Sequence, residues 1–158
     1  MTFFQLYGQK LLTATGVHLL YVLLSVLIGF VVALVLGILL SRAPRLARYV
    51  LPLISVFQTI PGVVFVGVLF LYTGMKPVTV IIALAIYAMF PILKNTYIGL
   101  LEVDPSLIEA ARGCGMSRRE RLFELELPLA APSIIAGLRM STVYTVSWAV
   151  LASMIGLG

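Results

Sequence analysis

Apolar residues in this chain fall in long uncharged blocks. Residues 17–40 and 49–72 hold no charge, residues 77–93 hold none before Lys94, and residues 128–155 are interrupted only by Arg139. The hydrocarbon of a bilayer is ~30 Å thick and a helix rises ~1.5 Å per residue, so a span needs roughly 20 apolar residues. The blocks therefore predict four membrane helices, over 17–40, 49–72, 77–101 and 128–155, with the third extended past Lys94. One strongly polar stretch, residues 102–127, separates the last two. It carries all six acidic residues: Glu102, Asp104, Glu109, Glu120, Glu124 and Glu126. No segment reads at strand period. The expectation is an all-α polytopic membrane protein, a single domain over residues 1–158.

Smaller patterns lie within these blocks. Residues 1–14 are mildly amphipathic, with Phe3, Phe4, Leu6, Tyr7, Leu11 and Leu12 set against Gln5, Gln9 and Lys10, which suits an interfacial helix. The first span places Ser25, Gly29, Ala33, Gly37 and Ser41 at steps of four. Lipid supplies no hydrophobic drive for helix association, so such a stripe predicts close packing against another helix. In the second span Gln58 and Thr59 lie between Pro52 and Pro61. Proline kinks a helix, and polar groups near mid-membrane seek a partner or a wet path. Gln58, Thr59 and Pro61 are thus either a pathway-lining bend or a satisfied interhelical contact.

Charge adds a direction. The chain carries net charge +5, and 61% of its residues are hydrophobic against 11% charged. Arg42, Arg45 and Arg48 cluster after the first span, and Arg112, Arg118, Arg119 and Arg121 cluster in the 102–127 stretch. Cationic loops stay in the cytoplasm. Four alternating spans put both clusters on one side, with the N-terminus outside. The arginines are read as topology signals, not as a nucleic-acid surface. The single cysteine, Cys114, excludes an internal disulfide or a cysteine metal cluster. No cofactor or metal site is expected. An intramembrane enzyme would need paired acids or a nucleophile–base pair inside the spans, where His18 stands without an acid, so no catalytic residue is assigned.

The polar stretch reads as a helical hairpin. Asp104-Pro105 is a helix start, with Asp capping free amides and Pro at the first helical position. Gly113 and Gly115 flank Cys114 and stop that helix. Ser117 with Glu120 forms a capping box opening a second helix, which runs to Pro128 and the next span. A charged hairpin with apolar teeth at Leu107, Ile108, Leu122 and Phe123 suits a groove on a partner. The bland alternative is a surface hairpin folded back on its own domain.

Glu109-Ala110-Ala111, then three residues, Gly115, nine residues and Leu125-Glu126-Leu127-Pro128 resembles the EAA motif of binding-protein-dependent ABC importer permeases. Leu125 stands where that motif has isoleucine. The stretches Phe57–Gly62, Phe90–Leu100, Val103–Ser117 and Leu127–Gly158 resemble the branch that carries osmoprotectants: glycine betaine, carnitine and choline. The resemblance implies a type I importer permease fold in the bacterial cytoplasmic membrane. It implies four partners or surroundings: cytosolic ATPase subunits, a second permease subunit, an extracytoplasmic solute-binding protein, and lipid. By position, Glu109, Ala110, Ala111, Gly115, Leu125 and Pro128 would couple the hairpin to the ATPase. The chain has no phosphate-binding glycine loop, so ATP would be hydrolysed by the partner. Family members usually continue through at least one further span, so the chain is expected to be short at its C-terminus. Rival readings are an importer permease for another small solute such as an amino acid, and an ATPase-independent secondary transporter or channel subunit.

Four further residue sets complete the expectations. Arg139, ~16 Å along a helix from Pro128, is either tied to a carbonyl or polar side chain or placed for gating. His18 is an interfacial anchor rather than a proton relay. Trp148, Tyr144, Tyr72 and Tyr87 are packing aromatics, with a cation–π box for a quaternary ammonium as the sharper alternative. Cys114 is incidental.

Overall fold

The computed structural model describes residues 3–74 and 76–154, which form helices and the turns between them. The first two residues of the segment expected over 1–14, and the last of the span expected over 128–155, lie outside them.

Helix α1 runs unbroken from Phe3 to Arg42. The interfacial segment and the first span are therefore one rod. Gly16 costs a helix only about 1 kcal/mol, and no residue at the junction lacks a backbone donor. At ~1.5 Å per residue the rod extends ~60 Å, about twice the hydrocarbon thickness.

The span expected over 49–72 comes instead as two short helices, α2 (Pro44–Phe57) and α3 (Gly62–Thr73). Pro61 has no N–H to give the ladder and disfavours helical angles at the residue before it. Pro61 itself is extended, at φ −58° and ψ 128°. Pro52, Pro91 and Pro132 all lie inside helices, so proline alone does not decide the break. At 61 it is joined by Gly62, which lets another element come close.

Helix α4 (Pro77–Leu101) follows, then α5 (Pro105–Gly113). Beyond the turn at Cys114–Met116, α6 (Arg118–Glu120) passes into a π-helical turn (Arg121–Glu126) and on into α7 (Leu127–Met154). Two described helices, Leu6–Arg42 and Pro77–Leu101, are long and apolar enough to cross a membrane alone.

Helix α4 sits between α1 and α7, and small residues set the spacing. A Cβ at Gly29 would lie 2.8 Å from the Ala85 carbonyl oxygen, and one at Gly37 2.7 Å from Thr96 Cγ2. On α7 a Cβ at Gly137 would lie 2.9 Å from the Pro91 carbonyl oxygen, and one at Gly99 of α4 2.7 Å from Ser133 Cβ. Ser25, Gly29, Ala33 and Gly37 of the α1 stripe are buried, as the stripe predicts. Two hydroxyls fasten the layers. Ser25 Oγ donates to the Ile81 carbonyl at 3.2 Å, and Ser141 Oγ to the Ala88 carbonyl at 2.7 Å. The opposite face of α1 exposes Leu19, Leu23, Leu27, Val31, Val35 and Leu39. Both faces are apolar and they differ in size, as expected where lipid replaces water as the outer solvent.

Candidate functional site

The hairpin projects beyond the three-helix core and is built from local signals. Asp104 Oδ1 accepts from the Ser106 N–H at 2.8 Å and caps α5, whose first residue is Pro105. The helix runs through Gly113, and the reversal is made by Gly115 alone, at φ +83°. There the Met116 N–H donates to the Ala111 carbonyl and the Gly115 N–H to the Arg112 carbonyl, both at 3.0 Å. This paired closure needs a left-handed residue, and glycine adopts that conformation without a Cβ clash. Ser117 and Glu120 then complete the expected capping box. The backbone N–H of Ser106 holds the Asp104 carboxyl below the usual carboxylate range, and the backbone N–H of Ser117 does the same for Glu120.

The motif residues divide by exposure. Glu109, Ala110 and Gly115 face solvent, while Ala111 is 8% exposed and packs inward. Leu125 is half-buried in the π turn and Pro128 is exposed at the start of α7. Pro128 does not open a separate segment. The π turn shifts the ladder by one residue, with the Leu127 N–H donating to the Leu122 carbonyl, and the helix passes through the proline.

Sequence reasoning missed the ion cluster at the hairpin's root. Glu126 is 2% exposed, pairs with Arg42 at the end of α1, and lies 4.0 Å from Arg121 Nε. Arg121 is itself 9% exposed, and its Nε and Glu126 Oε1 have no hydrogen-bond partner. The available signal was Glu126 alone between Leu125 and Leu127, at the mouth of an apolar helix. An acid so placed requires a cation.

The second candidate region is the break between α2 and α3. Gln58 and Thr59 are exposed there. Thr59 Oγ1 donates to the Val56 carbonyl at 2.7 Å. The Ile60 carbonyl, left without a helical partner, accepts from the Tyr87 hydroxyl at 2.7 Å. A cavity of about 290 Å³ opens beside it, lined by Gln58, Tyr87, Pro91, Tyr144, Thr145 and Trp148. Tyr72 is 86% exposed and does not line it. The Trp148 ring lies against Gly62, where a Cβ would meet it at 2.1 Å, and its centroid is 5.2 Å from that of Tyr87. Tyr87 also stacks edge-on with Phe65 and Phe90. These contacts give Tyr87 and Trp148 a packing role in closing the bend. Arg139 is exposed on α7 and gains no hydrogen bond or ion pair among the described residues, so the expected tie to a carbonyl is not made there.

Comparison with known proteins bears on the chain as a whole. The family model described as Binding-protein-dependent transport system inner membrane component matches residues 25–158. The chain is 44% identical over 158 residues to the carnitine transport permease protein of Listeria monocytogenes, covering 100% of this chain and 72% of that one. It is 41% identical over 158 residues to the glycine betaine/carnitine/choline transport system permease protein of Bacillus subtilis (strain 168), covering 100% and 73%. Among solved structures, an inward-facing methionine ABC transporter matches with a TM-score of 0.86 at 22% identity, over 100% of this chain and 79% of that one. That likeness establishes the type I importer permease fold.

Proposed function

Because the chain belongs to the family of binding-protein-dependent transport system inner membrane components, we propose that it is the permease subunit of an ATP-driven osmoprotectant importer. Its solutes are glycine betaine, carnitine or choline, which share a quaternary ammonium head. The relatives at 44% and 41% identity are named for these solutes and align over the whole chain. The protein works in the bacterial cytoplasmic membrane, with α1, the α2–α3 pair, α4 and α7 crossing it and the 102–127 hairpin in the cytoplasm. A second permease subunit completes the path, an extracytoplasmic binding protein delivers solute, and cytosolic ATPases supply energy.

The observation that carries the mechanism is the unbroken helical path from the Ser117 cap to Met154. ATPase closure moves the exposed Glu109–Ala110 face of α5. The α6–α7 rod carries that displacement into the membrane core, and the Arg42–Glu126 pair engages α1. The bend at Gln58–Pro61, held to α4 by Tyr87, lines the path that opens alternately to each side.

Native Cys114 is exposed and is the only cysteine, so it reports on this arrangement without mutation. A membrane-impermeant maleimide should label it in inside-out vesicles and not in right-side-out ones, and added ATPase should slow the labelling. In proteoliposomes with binding protein and ATPase, choline uptake should require ATP. Changing Glu109 to Lys or Gly115 to Val should abolish uptake while leaving membrane insertion intact. Labelling from the outside, or normal uptake in both variants, removes the coupling role.

A further inference from the structure

Five arginines meet in one cavity at the root of the hairpin, and coupling does not account for them. Arg42 from the end of α1, Arg112 from the last turn of α5, Arg118 and Arg119 from α6, and Arg121 from the π turn line a space of about 460 Å³. Glu126 neutralises only one of the five. Like charges this close repel, and the buried Arg121 Nε, 4.0 Å from Glu126 Oε1, is within ion-pair reach of that carboxylate but makes no hydrogen bond. A buried donor left unpaired is costly, and arginine's fork matches phosphate oxygens. The floor of the same cavity is apolar, formed by Ile38 of α1 and Leu122 of the π turn.

We propose that this cavity binds the phosphate of an anionic phospholipid, with an acyl chain lying on Ile38 and Leu122. The chemistry is shared with inorganic phosphate. The apolar floor and the position of Arg42 at the end of a helix long enough to cross the membrane favour the lipid. The leaflet assignment rests on the proposed topology, in which the hairpin faces the cytoplasm and its anionic lipids. The bound headgroup would bridge α1 to the hairpin and fix the resting position of the lever.

The test uses the assembled transporter, permease with its ATPase, purified in detergent with equal amounts of phosphatidylglycerol and phosphatidylcholine. Native mass spectrometry should show phosphatidylglycerol retained about tenfold over phosphatidylcholine, the scale of one or two charge-assisted hydrogen bonds. In R118Q/R119Q, two exposed positions whose change leaves the core intact, the ratio should fall toward one. Arg121→Lys keeps the charge and loses the fork, and should give an intermediate ratio. Equal retention of the two lipids by the parent protein, or a preference untouched by these substitutions, overturns the proposal. Stabilisation by millimolar inorganic phosphate without lipid preference assigns the cavity to a soluble anion and likewise overturns it. Failure here leaves the Cys114 labelling pattern unchanged, whereas an outside-facing hairpin would alter that pattern and leave the lipid ratio intact.

Discussion

At the scale of single residues, the glycines of α1 separate packing from propensity. Gly16 has nothing within 4 Å of where a Cβ would stand, whereas at Gly29 that Cβ would meet backbone, the Ala85 carbonyl at 2.8 Å. A carbonyl inside a helix cannot rotate aside as a side-chain tip can. Gly29→Ala should therefore destabilise the protein by about 1–3 kcal/mol, the cost of overpacking. Gly16→Ala should be neutral or stabilising by up to about 1 kcal/mol. Thermal unfolding in one detergent compares them directly, and equal melting temperatures would remove α1–α4 contact as the role of the stripe. Glu126 presents the electrostatic counterpart. Removing one member of a buried ion pair costs about 3–5 kcal/mol, mostly from the charge left behind. Arg42 is about half exposed and Arg121 buried, so Glu126→Gln should cost roughly 2–3 kcal/mol on that scale. Arg42→Gln should cost less, because Arg121 remains beside the carboxylate.

At the scale of elements, the two helix starts of the hairpin carry carboxyls whose titration is tied to capping. Both Asp104 and Glu120 have carboxyls held below their ordinary range by backbone N–H groups. A group whose folded value is depressed stabilises the fold above its unfolded value, and that contribution is lost as pH falls through the folded one. Hydrogen-exchange protection at residues 106–108 and at Ser117 should therefore be steady near neutrality and decline below about pH 4. Asp104→Asn keeps a capping oxygen and removes the titration, so protection at 106–108 should become insensitive to acid; persistence of the decline would assign it elsewhere. These caps were legible in the sequence because capping is local: Asp104-Pro105 and Ser117 with Glu120 carry their partners within three residues. The small-residue stripe was legible because step-four spacing needs no knowledge of the neighbour. The break at Pro61 was legible only as a bend. Pro52, Pro91 and Pro132 read alike in sequence and stay helical, and what separates them is tertiary: Trp148 seated on Gly62 and Tyr87 holding Ile60. The union of residues 3–42 into one rod was hidden for a similar reason, since polar Gln and Lys are as compatible with continued helix as with an interfacial turn. The Arg42–Glu126 pair joins positions 84 apart, and no periodicity reports a contact of that range.

At the scale of the whole molecule, the question is whether displacement of the hairpin reaches the membrane core as rotation of a stiff rod or is dissipated in a hinge. The chain enters the hairpin from α4 through a short non-helical link at Glu102–Asp104, but leaves it through helix all the way into α7. The two exits are thus mechanically unequal, and α7 is the stiff one. The π turn is one irregularity within it, beside Pro128 and Pro132, and such turns recur at functional sites. A π turn holds one residue more than regular helix, so a deletion inside it would be absorbed, whereas exposed Leu129 lies in regular helix and has no such slack. Each residue of an α-helix corresponds to about 100° of rotation, so deleting Leu129 would turn the hairpin by that angle about the rest of α7. The Glu109–Ala110 face would then point away from its docking direction, and Glu126 would be carried off Arg42. The deletion variant should insert in the membrane and show little coupled uptake, with solute no longer stimulating ATP hydrolysis. Inserting Gly-Gly after Glu124 should also uncouple transport, by adding slack rather than rotation, and should leave ATPase binding intact where the deletion weakens it. Wild-type uptake in the deletion variant would exclude a rigid lever. Lost binding in the glycine variant would place the defect in docking rather than in transmission.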